Sequence, residues 1–303
     1  MRWMLGVGAL AMVGAAGVAA AARERAELVI AGDGVRATSV GGVAGRLRID
    51  PAAPGMPTLN PDYARRAGLK SGPFGAGYAV GPVRVAGLTA VARIDLGRGV
   101  VKRRVTWTAR PYVAGADAAV GPGGLPDPVV RFQLRPARPG ERVVALPMAG
   151  NGLIGGWGMS MAVAPIDGGP VRVRFDPRRP TVATAGAGVA IARAGSGVLE
   201  GAPAATEIAF GVERPVRRLR LSRPVALGPI ALDALLVRVS DYGSAASIAD
   251  ADAAPPDPDE VVVTAKGKRN RANDLLVLGR DHLARCSSVT FDKRAKQVRL
   301  SCL

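Results

Sequence analysis

Hydrophobic and polar positions alternate along most of this chain, in short runs cut by Gly and Pro. Glu27–Ile30, Val35–Thr38 and Gly45–Ile49 open the series. Tyr78–Val85, Leu88–Asp95, Arg104–Thr108 and Val129–Leu134 continue it. A second series runs through Val143–Pro147, Met159–Ala164, Val171–Phe175, Glu207–Phe210, Arg217–Leu221, Val225–Leu227 and Ala231–Val239. A period of two puts alternate side chains on opposite faces, so these runs read as half-buried strands. Helical signals are confined to short pieces. One runs from Pro61 to Gly68, with Pro at its start and Gly at its end. Another follows Gly279 within Leu275–Arg285. The pattern predicts a mainly β protein.

The series is duplicated. Gly45 to Leu69 reads GRLRIDPAAPGMPTLNPDYARRAGL, and Val171 to Ala194 reads VRVRFDPRRPTVATAGAGVAIARA. Both copies run an alternating strand, Asp-Pro-x-x-Pro, a Thr (Thr58 or Thr181), then a segment rich in small residues. Late in each half come two apolar residues and a Gly, Ala119-Val120-Gly121 and Val277-Leu278-Gly279, before the closing strands. An internal repeat of this kind constrains the fold more than any single residue does. It divides the chain into lobes at 23–141 and 142–303. The second lobe carries an acidic, Pro-rich insertion at about 249–271.

Residues 1–22 stand apart. Arg2 is a short basic start, Met4 to Val18 is apolar, and Ala20-Ala21-Ala22 offers a small-residue cleavage site, which together predict a Sec-type signal peptide. An uncleaved anchor helix is the alternative. No later run is long and apolar enough to span a bilayer. The expected location is periplasmic or secreted. Cys286 and Cys302 are the only cysteines among 303 residues. They flank a hairpin with strands at Ser287–Phe291 and Lys296–Ser301, and in an exported chain they are expected to form a disulfide. Two cysteines and a single histidine predict no metal site, and no cofactor is expected.

The formal charge is +17, from 41 basic and 24 acidic residues. No nucleic-acid-binding motif accompanies it, and aromatics for base stacking are few, so nucleic acid is not the expected partner. Arg46, Arg48, Arg103, Arg104, Arg172, Arg174, Arg217, Arg218 and Arg220 are spread through strands as outward residues. They are expected to form a solvated face that meets anionic envelope components.

The ordered, duplicated pattern resembles the pepsin/retropepsin family of aspartic proteases. It is carried by IDPAAPGMPTLNPDYARRAGL in the first half and LLVLGRDHLARCSSVTFDKRAKQVRL in the second. The resemblance spans about Glu27 to Leu303. It implies a two-lobed acid-protease barrel architecture with short helices, an interlobe cleft for an extended peptide, and catalytic positions at Asp50 and Asp176. The family's Asp-Thr/Ser-Gly motif is altered in both copies, to Asp50-Pro51-Ala52 and Asp176-Pro177-Arg178. Proline carries neither hydroxyl nor N–H. Arg178 would set a cation beside two carboxylates that must share a proton to activate water. The expectation is a degenerate site that binds peptide or an envelope component without cleaving it, with Thr58, Arg178 and Thr181 as binding residues. Two other readings stay open for Asp50 and Asp176: an active endopeptidase, and plain turn-forming aspartates.

The remaining motifs are weaker. Asp259–Ala265 (DEVVVTA) resembles a TonB-box segment, and Glu260–Thr264 would suit strand addition to a partner's sheet, which makes a periplasmic adaptor a further alternative. The Gly-rich stretch Gly150–Gly158 lacks the Gly-Lys-Ser/Thr of a phosphate loop. His282 reads as a helix-surface residue.

Overall fold

The computed structural model describes residues 27–149, 158–241, 243–252 and 271–303. The protein is mainly β, with three short α-helices among these residues. The leader at 1–22, most of the Gly-rich stretch and the Asp259–Ala265 segment lie outside them. No helix among the described residues is long and apolar enough to cross a membrane.

The first half builds a seven-stranded sheet in the order Val35–Val40, Val43–Ile49, Ala118–Val120, Thr58–Leu59, Val100–Thr108, Val83–Asp95, Gly75–Val80. Val40 also pairs with Ile94, which closes the first six strands into a barrel. The second half builds an eight-stranded sheet: Ala162–Ile166, Gly169–Asp176, Leu275–Gly279, Val182–Ala183, Ile230–Arg238, Val212–Leu227, Gly197–Ala209, Ala249–Asp250. A five-stranded sheet takes strands from both ends and from the middle of the chain, in the order Glu27–Ala31, Val129–Gln133, Cys286–Asp292, Gln297–Cys302, Arg142–Pro147. Phe291 of this sheet meets Phe132 edge-on at 5.8 Å and Phe175 at 6.0 Å, so the shared sheet packs directly behind the Asp176 strand.

The repeat is visible in the strand register. In the first half, Ala118–Val120 lies between Val43–Ile49, parallel to it, and Thr58–Leu59, antiparallel to it. In the second, Leu275–Gly279 lies between Gly169–Asp176, parallel, and Val182–Ala183, antiparallel. Ile49 pairs with Val120, and Asp176 pairs with Gly279, so each aspartate arrives level with the late glycine of its half. These glycines permit the crossing. A Cβ on Gly121 would sit 2.0 Å from the Ala53 carbonyl oxygen, and one on Gly279 would sit 2.3 Å from the Thr181 nitrogen.

The structure departs from the sequence reading in several places. Arg217–Leu221 and Val225–Leu227 are one strand, Val212–Leu227. Tyr78–Val85 is not one strand: Gly81, in the left-handed region at φ 63°, and Pro82 turn the chain, and the strands are Gly75–Val80 and Val83–Asp95. Alternation continues through the turn, which hid it. The stretch Gly197–Ala209, poor in β-branched residues, is a long strand held by pairing with Val212–Leu227, a case where tertiary pairing overrides weak propensity. The small-residue segment of the second copy is a helix, Ala185–Gly195. Its Ala185, Ala187, Ala190 and Ile191 are buried against the sheet. Cys286 and Cys302 stand opposite each other in the ladder and are joined as a disulfide.

Candidate functional site

Asp50 and Asp176 end equivalent strands and converge on one cleft. Both are buried, at 2% and 5% exposure. The two turns share their backbone bonds. The Ala53 N–H donates to the Asp50 carbonyl (3.1 Å), and the Arg179 N–H to the Asp176 carbonyl (3.4 Å). Proline removes the donor directly after each aspartate, but the next residue restores one. The Ala52 N–H donates to Asp50 Oδ1 at 2.9 Å and the Arg178 N–H to Asp176 Oδ1 at 3.1 Å. Replacing Gly therefore does not deprive either carboxylate of its backbone donor, because an N–H at that position does not depend on the side chain.

The Arg178 guanidinium lies between the aspartates. Its Nη2 donates to Asp50 Oδ2 and stands 3.9 Å from Asp176 Oδ1. Burial alone would lower the arginine's pKa. The Asp50 charge beside it outweighs that and the net shift is upward. Arg48, two residues before Asp50, moves the other way. Burial disfavours its charge and Arg178 repels it. Arg179 reaches across to the hairpin of the second half, donating to the carbonyls of Glu207 (2.8 Å) and Ile208 (2.5 Å). A cavity of about 210 Å³ remains, lined by Asp50, Asp176, Arg48, Arg174, Arg178 and Tyr112 among others. Desolvation, with Asp50 nearby, pushes the Tyr112 phenol up.

Thr58 and Thr181 do not line this cavity. Both are fully buried. Thr58 Oγ1 donates to the Met56 carbonyl (3.2 Å). Thr181 Oγ1 donates to Asp281 Oδ1 (2.6 Å), accepts from the Gly279 N–H (2.8 Å) and lies 2.7 Å from His282 Nδ1. They are not equivalent positions either. Thr58 pairs with Ala119, whereas Val182, not Thr181, pairs with Val277. His282 is buried at 7%, not on the surface, because the short helix Arg280–Leu283 is tucked under the Thr181 turn.

The arginines expected on a solvated face include cleft residues. Val171, Val173 and Phe175 point into the core, so the opposite face of that strand carries Arg172 and Arg174 towards the cleft. Arg48 does the same in the first half. The signal was present in the sequence as Arg-x-Arg-x-Asp in both copies, RLRID and RVRFD. Nothing local marked the residues that roof the cleft. Phe210, at the tip of the hairpin of the second half, packs between Tyr78 (4.7 Å) and Tyr112 (4.9 Å) of the first. Val80 and Val85 join the same cluster with Ile208 and Val212. Beside it, an apolar groove of about 520 Å³ is lined by Pro54, Met56, Phe74, Tyr78 and Met159. Among the described residues no cluster of His, Cys, Asp and Glu could hold a metal ion.

No family model matches the chain, and no curated protein matches it. Solved structures do. One is an aspartic proteinase from Irpex lacteus, with a TM-score of 0.42 and 11% identity, over 88% of this chain and 93% of that one.

Proposed function

We propose that this chain is an exported, non-catalytic binding protein on an aspartic-protease-like frame, taking an extended peptide in the cleft between its halves. The observation that carries the reading is the Arg178 side chain lodged against Asp50 and within ion-pair reach of Asp176. Acid-protease chemistry needs two carboxylates that share one proton and hold a water. Here the Arg178 guanidinium is lodged against one carboxylate and beside the other, where a shared proton and its water would have to be held. The groove under Phe74 and Tyr78, open and apolar, supplies the contact surface that peptide side chains need.

One observation favours the second reading, an active endopeptidase. The two carboxylates do converge, and each keeps its backbone donor. Equilibrium binding of a mixture of unstructured peptides, followed by intact-mass analysis of what is recovered, separates the two. Peptides retained and recovered whole support the binding protein. Peptides recovered cut, with cutting lost in Asp50→Asn, support the peptidase.

A further inference from the structure

Arg174 is a buried cation without an anion. It is 8% exposed, its Nε has no hydrogen-bond partner, and its Nη1 contacts Met159 Sδ at 3.0 Å. A thioether is a weak acceptor, and no carboxylate among the described residues pairs with this guanidinium. Burying an unpaired charge is costly, so the site is built for an anion that arrives from outside.

Its position says which kind. Arg174 lines the small cavity of Asp50 and Asp176 and also a second cavity of about 450 Å³. That second cavity shares Tyr78 and Met159 with the apolar groove of Phe74. A ligand lying in the groove therefore reaches Arg174 with one end. Towards the aspartates its way is closed by the cavity of about 210 Å³ that already holds the Arg178–Asp50 pair. That is below the roughly 300–1,000 Å³ that ligand pockets usually need. Arg172 and Arg238 lie in the same cavity. Arg238 is committed to Asp241, at 2.5 Å.

We infer that Arg174 receives the free C-terminal carboxylate of the bound peptide, with the apolar side chains just before it filling the groove of Phe74, Tyr78 and Met159. This rests on the peptide-binding reading above. The guanidinium would exchange its thioether contact for charge-assisted bonds to the carboxylate, which are about twice as strong as neutral ones.

The test uses the full chain and three fluorescein-labelled peptides, measured by fluorescence polarisation. The first is Ala-Val-Leu-Phe with a free carboxylate. The second is its C-terminal amide. The third is the amide with an internal Glu. The acid is expected to bind about ten-fold tighter than either amide, the scale of a hydrogen bond to a charged group. Arg174→Met should erase that ratio and Arg174→Lys should keep part of it. Should Arg174→Met not fold, the wild-type ratio still decides. Acid and amide binding equally would overturn the role of Arg174 while leaving peptide binding standing. The Glu peptide matching the acid would overturn the C-terminal assignment. Neither acid nor amide binding would overturn the peptide reading itself.

Discussion

Arg178 Nη2 donates to Asp50 Oδ2, joining the second half of the chain to the buried aspartate of the first. The bond crosses 128 positions of sequence, and it sets the electrostatics of the cleft. Removing the arginine leaves Asp50 buried with the Ala52 backbone donor and without its direct guanidinium partner. Arg178→Ala should lower stability by about 1–2 kcal/mol, less than for a fully buried pair because the Arg178 side chain is 40% exposed. Asp50→Asn in the same background should recover part of the loss. Urea denaturation of the two single variants and the double variant checks this. Strict additivity would mean that the pair contributes nothing.

The late glycines carry the crossing of the two turns. In both, an added Cβ meets backbone atoms, which cannot swing away as a side-chain tip can. Gly121→Ala and Gly279→Ala should each cost about 1–3 kcal/mol, read as a fall in the denaturation midpoint. A loss below about 0.5 kcal/mol for either would show that the crossing relaxes freely.

These elements differ in how far the sequence revealed them. The Asp-Pro turns, the late glycines and the cystine hairpin are local patterns, so alternation and spacing exposed them. The placement of Arg178 beside Asp50 was also foreseeable, since the repeat brings equivalent turns together. Thr58 and Thr181 were misread because similarity of letters suggested equivalence, while the register makes Val182 the counterpart of Thr58. The second turn is two residues shorter, and a one-residue mismatch remains at the Thr. Phe210, Tyr78 and Tyr112 were illegible. Their contact depends on how two distant hairpins meet, and no local period encodes that.

Phe210 should hold the two hairpins together over the cleft. It is 2% exposed and stands between two tyrosine rings. Phe210→Ala should destabilise the protein by about 3 kcal/mol, and amides of Val83–Asp95 should exchange faster. Unchanged exchange in that strand would show that the hairpin is held elsewhere.

Acid should loosen the cystine hairpin first. The Ser287 hydroxyl, with Ser301, Arg135 and the Arg138 N–H, holds the Glu141 carboxyl down to about 2 against a burial penalty. A depressed carboxylate stabilises the fold above its ordinary value of 4.5 and loses that contribution as the pH falls towards about 2. Asp281 is also lowered to about 2. Burial acts against this, and His282 and Thr181 outweigh it. The melting temperature should therefore fall between about pH 4.5 and pH 2, and Glu141→Gln should flatten part of that fall. A Glu141→Gln profile parallel to that of the wild type would remove Glu141 from the account.

The proposed binding role requires that the two buried aspartates do not support hydrolysis. Cleavage of denatured casein from pH 2.5 to 6, followed by mass spectrometry in the wild type, Asp50→Asn and Asp176→Asn, tests it most directly. The account predicts intact substrate in all three at every pH. Cleavage by the wild type that disappears in both variants would contradict it.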